Sequence, residues 1–125
     1  MIHVDWHDLE KTIILLDYTP PIASWEEYQE AIDCSYDLAR SVAHPVRLLH
    51  NPQDTPMPAG NPLEQILIAA RKTPANVDAV AMVITNRIAR RITKVALLIF
   101  NSLTDYEIFA TVDEALAYLS EPARC

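Results

Sequence analysis

The eight residues from Val77 to Ile84 constrain this chain more than any other stretch. Val77, Ala79, Ala81 and Val83 fill one parity, while Val80, Met82 and Ile84 share the other with a single polar residue, Asp78. Successive side chains of a strand point to opposite faces, so apolar residues at both parities need cover on both sides. This predicts the central strand of an open parallel sheet with helices above and below. Directly after it, Ile88, Ile92, Val95 and Ile99 recur at steps of four, three and four. Such spacing makes one stripe of a helix, expected to lie on the sheet.

The rest of the chain supplies the partners. Ile2 to Trp6 alternates strictly and reads as a half-exposed strand, and Thr12 to Leu16 as a second, so the two form a hairpin or an edge pair. Pro20 and Pro21 end extended structure because neither has an N–H to give to a ladder. Ser24-Trp25-Glu26-Glu27 has the spacing of a capping box. The helix it opens has the stripe Tyr28, Ala31, Ile32, Ser35, Leu38, Ala39 and Val42, and His44-Pro45 closes it. Val46 to His50 is the next strand. The loop Asn51 to Gly60 holds three prolines and the chain's only glycine, which suggests a fixed shape. Asn61-Pro62-Leu63-Glu64 opens a second helix with a capping residue and a proline at its first position. Glu107 to Thr111 reads as a last strand, and Thr111-Val112-Asp113-Glu114 as another capping box before a closing helix. The fold class is therefore α/β: a small mixed, mostly parallel sheet of about five strands flanked by four helices, in one domain over residues 1–125.

Composition excludes several functions. A chain of 125 residues can bury a core without disulfides or a structural metal. A net charge of -7 argues against nucleic-acid or anionic membrane surfaces as general partners. No apolar run approaches a bilayer span and the first residues carry no basic-then-apolar signal, so a cytoplasmic protein is expected. Cys34 and Cys125 fit no metal or redox spacing. Nucleotide phosphates need glycine-rich turns after a strand, and the strand-to-helix turns here lack them, so no cofactor is expected.

Three groups of residues are candidates for a site. On the helix after the Val77 strand, Arg87, Arg91 and Lys94 fall within a narrow arc with Arg90 at its edge, so four of the ten cations share one face. Arg87 sits in the first turn, where the helix dipole disfavours a cation by about 0.3 to 1 kcal/mol. Acidic side chains of this chain, water or a partner would offset that. Leu97, Leu98 and Phe100 leave the last turn apolar all round, which calls for cover by the C-terminal segment or by a second subunit in a homodimer. The crevice beyond the carboxyl ends of parallel strands is the usual binding place in such sheets. There the Val46 strand delivers His50, Asn51, Asp54 and Thr55, and the Val77 strand delivers Thr85, Asn86 and Arg87. No nucleophile is paired with His50 at a recognisable spacing, so no catalytic role is expected. His3, Asp5 and His7 alternate as two imidazoles and a carboxylate would on a strand, but no fourth ligand is named and the expectation is a solvated face without metal.

Four stretches carry a resemblance over nearly the whole chain. These are the N-terminal strand pair, the entry Trp25-Glu26-Glu27-Tyr28, the approach Pro74-Ala75-Asn76, and the closing Phe109-Ala110-Thr111-Val112-Asp113-Glu114-Ala115 followed by Leu119. Together they resemble the SpoIIAA-like group of the STAS superfamily, named for sulfate transporters and anti-sigma-factor antagonists. The resemblance implies a small sheet flanked by helices, used in relatives for protein-protein regulation or for holding small anionic or lipid ligands. Anti-sigma-factor antagonists carry a phosphorylatable serine at the start of the second helix. Here the loop from Asn51 to Gly60 has no serine, and Thr55 is its only hydroxyl. The expectation is a non-enzymatic regulatory or interaction module that engages a protein partner through Arg87, Arg90, Arg91, Lys94 and the Asn51 to Gly60 loop. The alternative is a binding protein for a small anion or lipid headgroup in the crevice.

Overall fold

A computed structural model describes residues 1–52, 55–99 and 105–120. In chain order the elements are β1 (Ile2–Trp6), β2 (Ile13–Tyr18), α1 (Trp25–Arg40), β3 (Val46–Asn51), α2 (Pro62–Arg71), β4 (Val77–Val83), α3 (Arg87–Ile99), β5 (Asp105–Phe109) and α4 (Val112–Leu119). They build one five-stranded sheet in the order β1-β2-β3-β4-β5, antiparallel between β1 and β2 and parallel across the other three pairs. The expected class is the observed one. Its centre, however, is β3, and the doubly apolar β4 lies fourth, with parallel neighbours on both sides. Two-sided apolarity reports neighbours and cover, which an off-centre strand also has.

Local chemistry sets the ends of the elements. Ser24 Oγ accepts the Glu27 N–H at 3.2 Å, and the Glu27 carboxylate accepts the N–H of Ala23 at 2.8 Å, one residue before the capping residue. Asn61 Oδ1 accepts from Leu63 and Glu64, and Thr111 Oγ1 from Glu114, which starts α2 and α4. α1 stops at Arg40, short of Val42. Beyond it Asn76 Nδ2 donates to the carbonyls of Ala39 (2.7 Å), Val42 (3.3 Å) and His44 (3.2 Å), fastening the turn to the start of β4. β2 runs two residues past the expected end, to Tyr18. Asp17 is held there by a 3.1 Å bond from Asn51 Nδ2 on β3, and Tyr18 is buried among the α1 side chains.

The two faces of the sheet are covered differently. Ile14, Leu16, Val46, Leu48 and Val80 pack on Ile32 and Tyr36 of α1 and Ala69 of α2. On the opposite face Ile13, Leu49, Ala79 and Ala81 meet Ala115 and Leu119 of α4, and the two small alanines of β4 let that short helix sit close. Arg47 anchors its end, with Nη1 donating to the Leu119 carbonyl at 2.8 Å and Nε to Asp78 at 3.3 Å. The register between β3 and β4 shifts at this point, between Val46 and Arg47.

α3 departs from expectation. Its apolar stripe does not lie on the sheet: Ile88 is 72% exposed, Ile92 60% and Val95 53%. The less exposed face is made by Ala89, Arg90, Thr93 and Leu97, about 150° around the helix at 100° per residue. The helix thus has three faces, one half-buried, one apolar and open, and one basic.

Candidate functional site

The carboxyl ends of β2, β3 and β4 open into a cavity of ≈ 820 Å³ on the sheet face that α1 and α2 cover. The register aligns Leu16, His50 and Met82 on neighbouring strands, so His50 and Met82 stand side by side, and Tyr18 follows two residues after Leu16 on the same face. Tyr18, His50 and Met82 form the floor. Trp25 and Tyr28 of α1, Met57 of the proline-rich loop and Ile66 of α2 make one wall. Ile88 and Ile92 of α3 make the other, so the upper part of the open stripe faces this space.

The loop that carries Thr55 and Met57 is fastened to α1 through Trp25. Trp25 Nε1 donates to the Ala59 carbonyl at 3.0 Å, and a Cβ on Gly60 would come within 3.0 Å of that same nitrogen. Gly60 also has φ +131°, a conformation that a residue with a side chain rarely adopts. The chain's only glycine is therefore fixed by a cavity-wall tryptophan.

Polar groups are few and deeply placed. The Tyr18 hydroxyl and His50 Nδ1 are 2.9 Å apart, with 4% and 8% of the two residues exposed. Burial holds the imidazole neutral, with its pKa lowered to about 4. Burial also pushes the Tyr18 phenol well above its ordinary value, with the neighbouring Tyr28 and Tyr36 adding to the effect. Thr55 is 7% exposed; its N–H donates to the Pro52 carbonyl at 2.8 Å, but its hydroxyl has no partner among the described residues. The Thr93 hydroxyl is occupied by the Ala89 carbonyl at 2.8 Å, and Asn86 Oδ1 caps α3 by accepting the Ala89 N–H at 3.0 Å. Chemically, the site is an apolar chamber with a neutral imidazole and, at Thr55, a buried hydroxyl without a partner among the described residues.

The candidate residues separate accordingly. His50, Thr55, Thr85 and Asn86 line the cavity. Asn51 projects to the other face and binds Asp17, and Asp54 lies outside the described residues. Arg87, Arg91 and Lys94 are exposed and Arg90 is half-buried, and none of the four lines the cavity or joins an ion pair among the described residues. Leu98 is 84% exposed and Leu97 half-buried, while Phe100 lies outside the described residues. His3 and Asp5 are exposed on β1, His7 follows its end, and no cluster of three or more His, Cys, Asp or Glu suited to a metal occurs among the described residues. No described helix is long and apolar enough to cross a membrane.

Sequence reading missed Tyr18, Trp25 and Met57 as parts of the site. Tyr18 carried one usable signal, since a tyrosine at the end of an apolar strand brings a hydroxyl that needs a partner when buried. No family model, curated protein or solved structure matches the chain.

Proposed function

We propose that this chain is a non-enzymatic binding module that holds a small, mainly apolar molecule between the Asn51 to Gly60 loop and α3. The observation that carries this reading is the cavity of ≈ 820 Å³ at the strand ends, within the size range of small-molecule sites and with the same makeup of apolar walls and a few placed polar groups. Of the uses that the STAS-like resemblance implies, holding a lipid ligand is the one this reading keeps. Because the four cations of α3 stand outside the cavity, the reading moves from a small anion or charged headgroup toward an uncharged ligand. A cytoplasmic setting, expected from the sequence, is part of the proposal.

Titration with the neutral fluorophore N-phenyl-1-naphthylamine tests it. Saturable enhancement at one probe per chain is expected, weakened about tenfold or more by Ile66→Glu, which puts a charge into the apolar wall, and unchanged by Val95→Glu, outside the cavity. Non-saturable fluorescence, or loss in Val95→Glu alone, would overturn it.

A second reading, an interaction module, is favoured by the exposed row of Ile88, Ile92 and Val95 and by exposed Leu98 among the cations of α3. In that case the row docks a partner or a second copy, with Leu97 and Leu98 at the contact. Sedimentation of a dimer that Leu98→Glu converts to monomer would support the homodimer, and a wild-type monomer at all concentrations would remove it.

A further inference from the structure

We infer that the Tyr18–His50 pair and the Thr55 hydroxyl form a neutral donor site for the carbonyl oxygen of a ketone, ester or amide borne on an apolar chain. The inference rests on the binding-module reading and adds the chemical class of its ligand. A count of protons fixes the polarity of the site. Between the Tyr18 oxygen and His50 Nδ1, 2.9 Å apart, there is room for one hydrogen. The Tyr18 hydroxyl has a single proton and no second partner among the described residues, and only 4% of the residue is exposed. If His50 donated from Nδ1, that phenolic proton would be buried without an acceptor, an expensive arrangement. Tyr18 therefore donates to Nδ1, and the proton of the neutral imidazole resides on Nε2. Nε2 has no partner among the described residues, which leaves a donor at the cavity floor.

Thr55 gives the second, independent observation. Its hydroxyl is buried without a partner and belongs to a cavity-lining residue. Groups so placed in native proteins are nearly always satisfied, by protein, water or ligand. Two donors and no lining cation suit an oxygen that accepts hydrogen bonds without carrying charge. A carboxylate or phosphate would be buried without a counter-ion, since α3 contributes Ile88, Ala89, Ile92 and Thr93 to the lining and keeps Arg87, Arg90, Arg91 and Lys94 outside it. Met57, Ile66 and Met82 then surround the hydrocarbon part.

Displacement of N-phenyl-1-naphthylamine by 2-decanone and by decanoate at neutral pH tests this, because the probe has no carbonyl to engage the donors. The ketone should displace at a concentration at least about tenfold lower than decanoate. Removing donors with His50→Phe or Thr55→Val should weaken the ketone by about three- to tenfold each while probe affinity changes by less than about twofold. Tyr18→Phe, which keeps the ring and frees the imidazole to move its proton to Nδ1, should weaken the ketone in the same direction. Nitrogen-proton correlation spectra of the wild type should place the His50 proton on Nε2 and shift it on addition of 2-decanone. A proton on Nδ1, decanoate binding as tightly as the ketone, or donor-less variants that keep ketone affinity would overturn the inference and leave the binding module standing. Absence of probe binding in the wild type removes the module and this inference together.

Discussion

His50 is the residue on which stability and function meet. Its folded-state pKa of about 4 lies below the 6.5 of an unperturbed imidazole, so between these values the unfolded chain binds a proton that the folded chain refuses. The stabilisation from keeping His50 neutral is complete above pH 6.5 and is lost as pH falls toward 4, amounting to about 2 kcal/mol by pH 5. Urea unfolding of the wild type and of His50→Gln should show the difference between them shift by that amount from pH 7 to pH 5, to the disadvantage of the wild type. A constant difference would mean that the imidazole already reaches water. None of this was legible from position 50 alone. Tyr18 lies 32 residues away, and only the pairing of Leu16 with His50 brings the phenol into reach. Gly60 was conspicuous as the single glycine, but what fixes it is Trp25, at the start of a different element.

Among the elements, those whose ends carry their own chemistry were the readable ones. Ser24, Asn61 and Thr111 each announce a helix and each accepts the expected backbone donors. The sequence places β5 at Glu107 to Thr111, two residues late, although Tyr106 and Ile108 already alternate with the exposed Asp105 and Glu107. For α3 the sequence predicts the helix but not its orientation, since a period of 3.6 tells which residues share a face and not what that face meets. Ala89 and Thr93, two small residues, mark the half-buried side, whereas hydrophobicity alone favours the isoleucine stripe. The charge of α3 yields its own prediction. Its first turn holds Arg87 and no acid, and Arg87 has no ion-pair partner among the described residues. Arg87→Glu should therefore raise stability by between about 0.3 and about 1 kcal/mol at low salt, an increase that shrinks in concentrated salt. A loss of stability in thermal unfolding would point instead to an anionic neighbour of Arg87.

At the scale of the whole molecule, two faces of one sheet serve different ends. The face under α4 is closed by Ala79, Ala81, Ala115 and Leu119, whereas the face under α1 and α2 is packed at the strand starts and hollow at the strand ends. The crevice was expected from strand order, as in other open sheets. Its apolar character was not, because the cations nearest in sequence suggested a charged site and the rotation of α3 puts isoleucines there instead. The three methionines test that geometry directly, since Met57 and Met82 line the cavity and Met1 is 63% exposed away from it. In methyl NMR spectra of the wild-type chain titrated with N-phenyl-1-naphthylamine, the ε-methyl signals of Met57 and Met82 should shift together and saturate while that of Met1 stays in place. Saturable probe binding that leaves Met57 and Met82 unmoved would contradict a binding chamber at the strand ends.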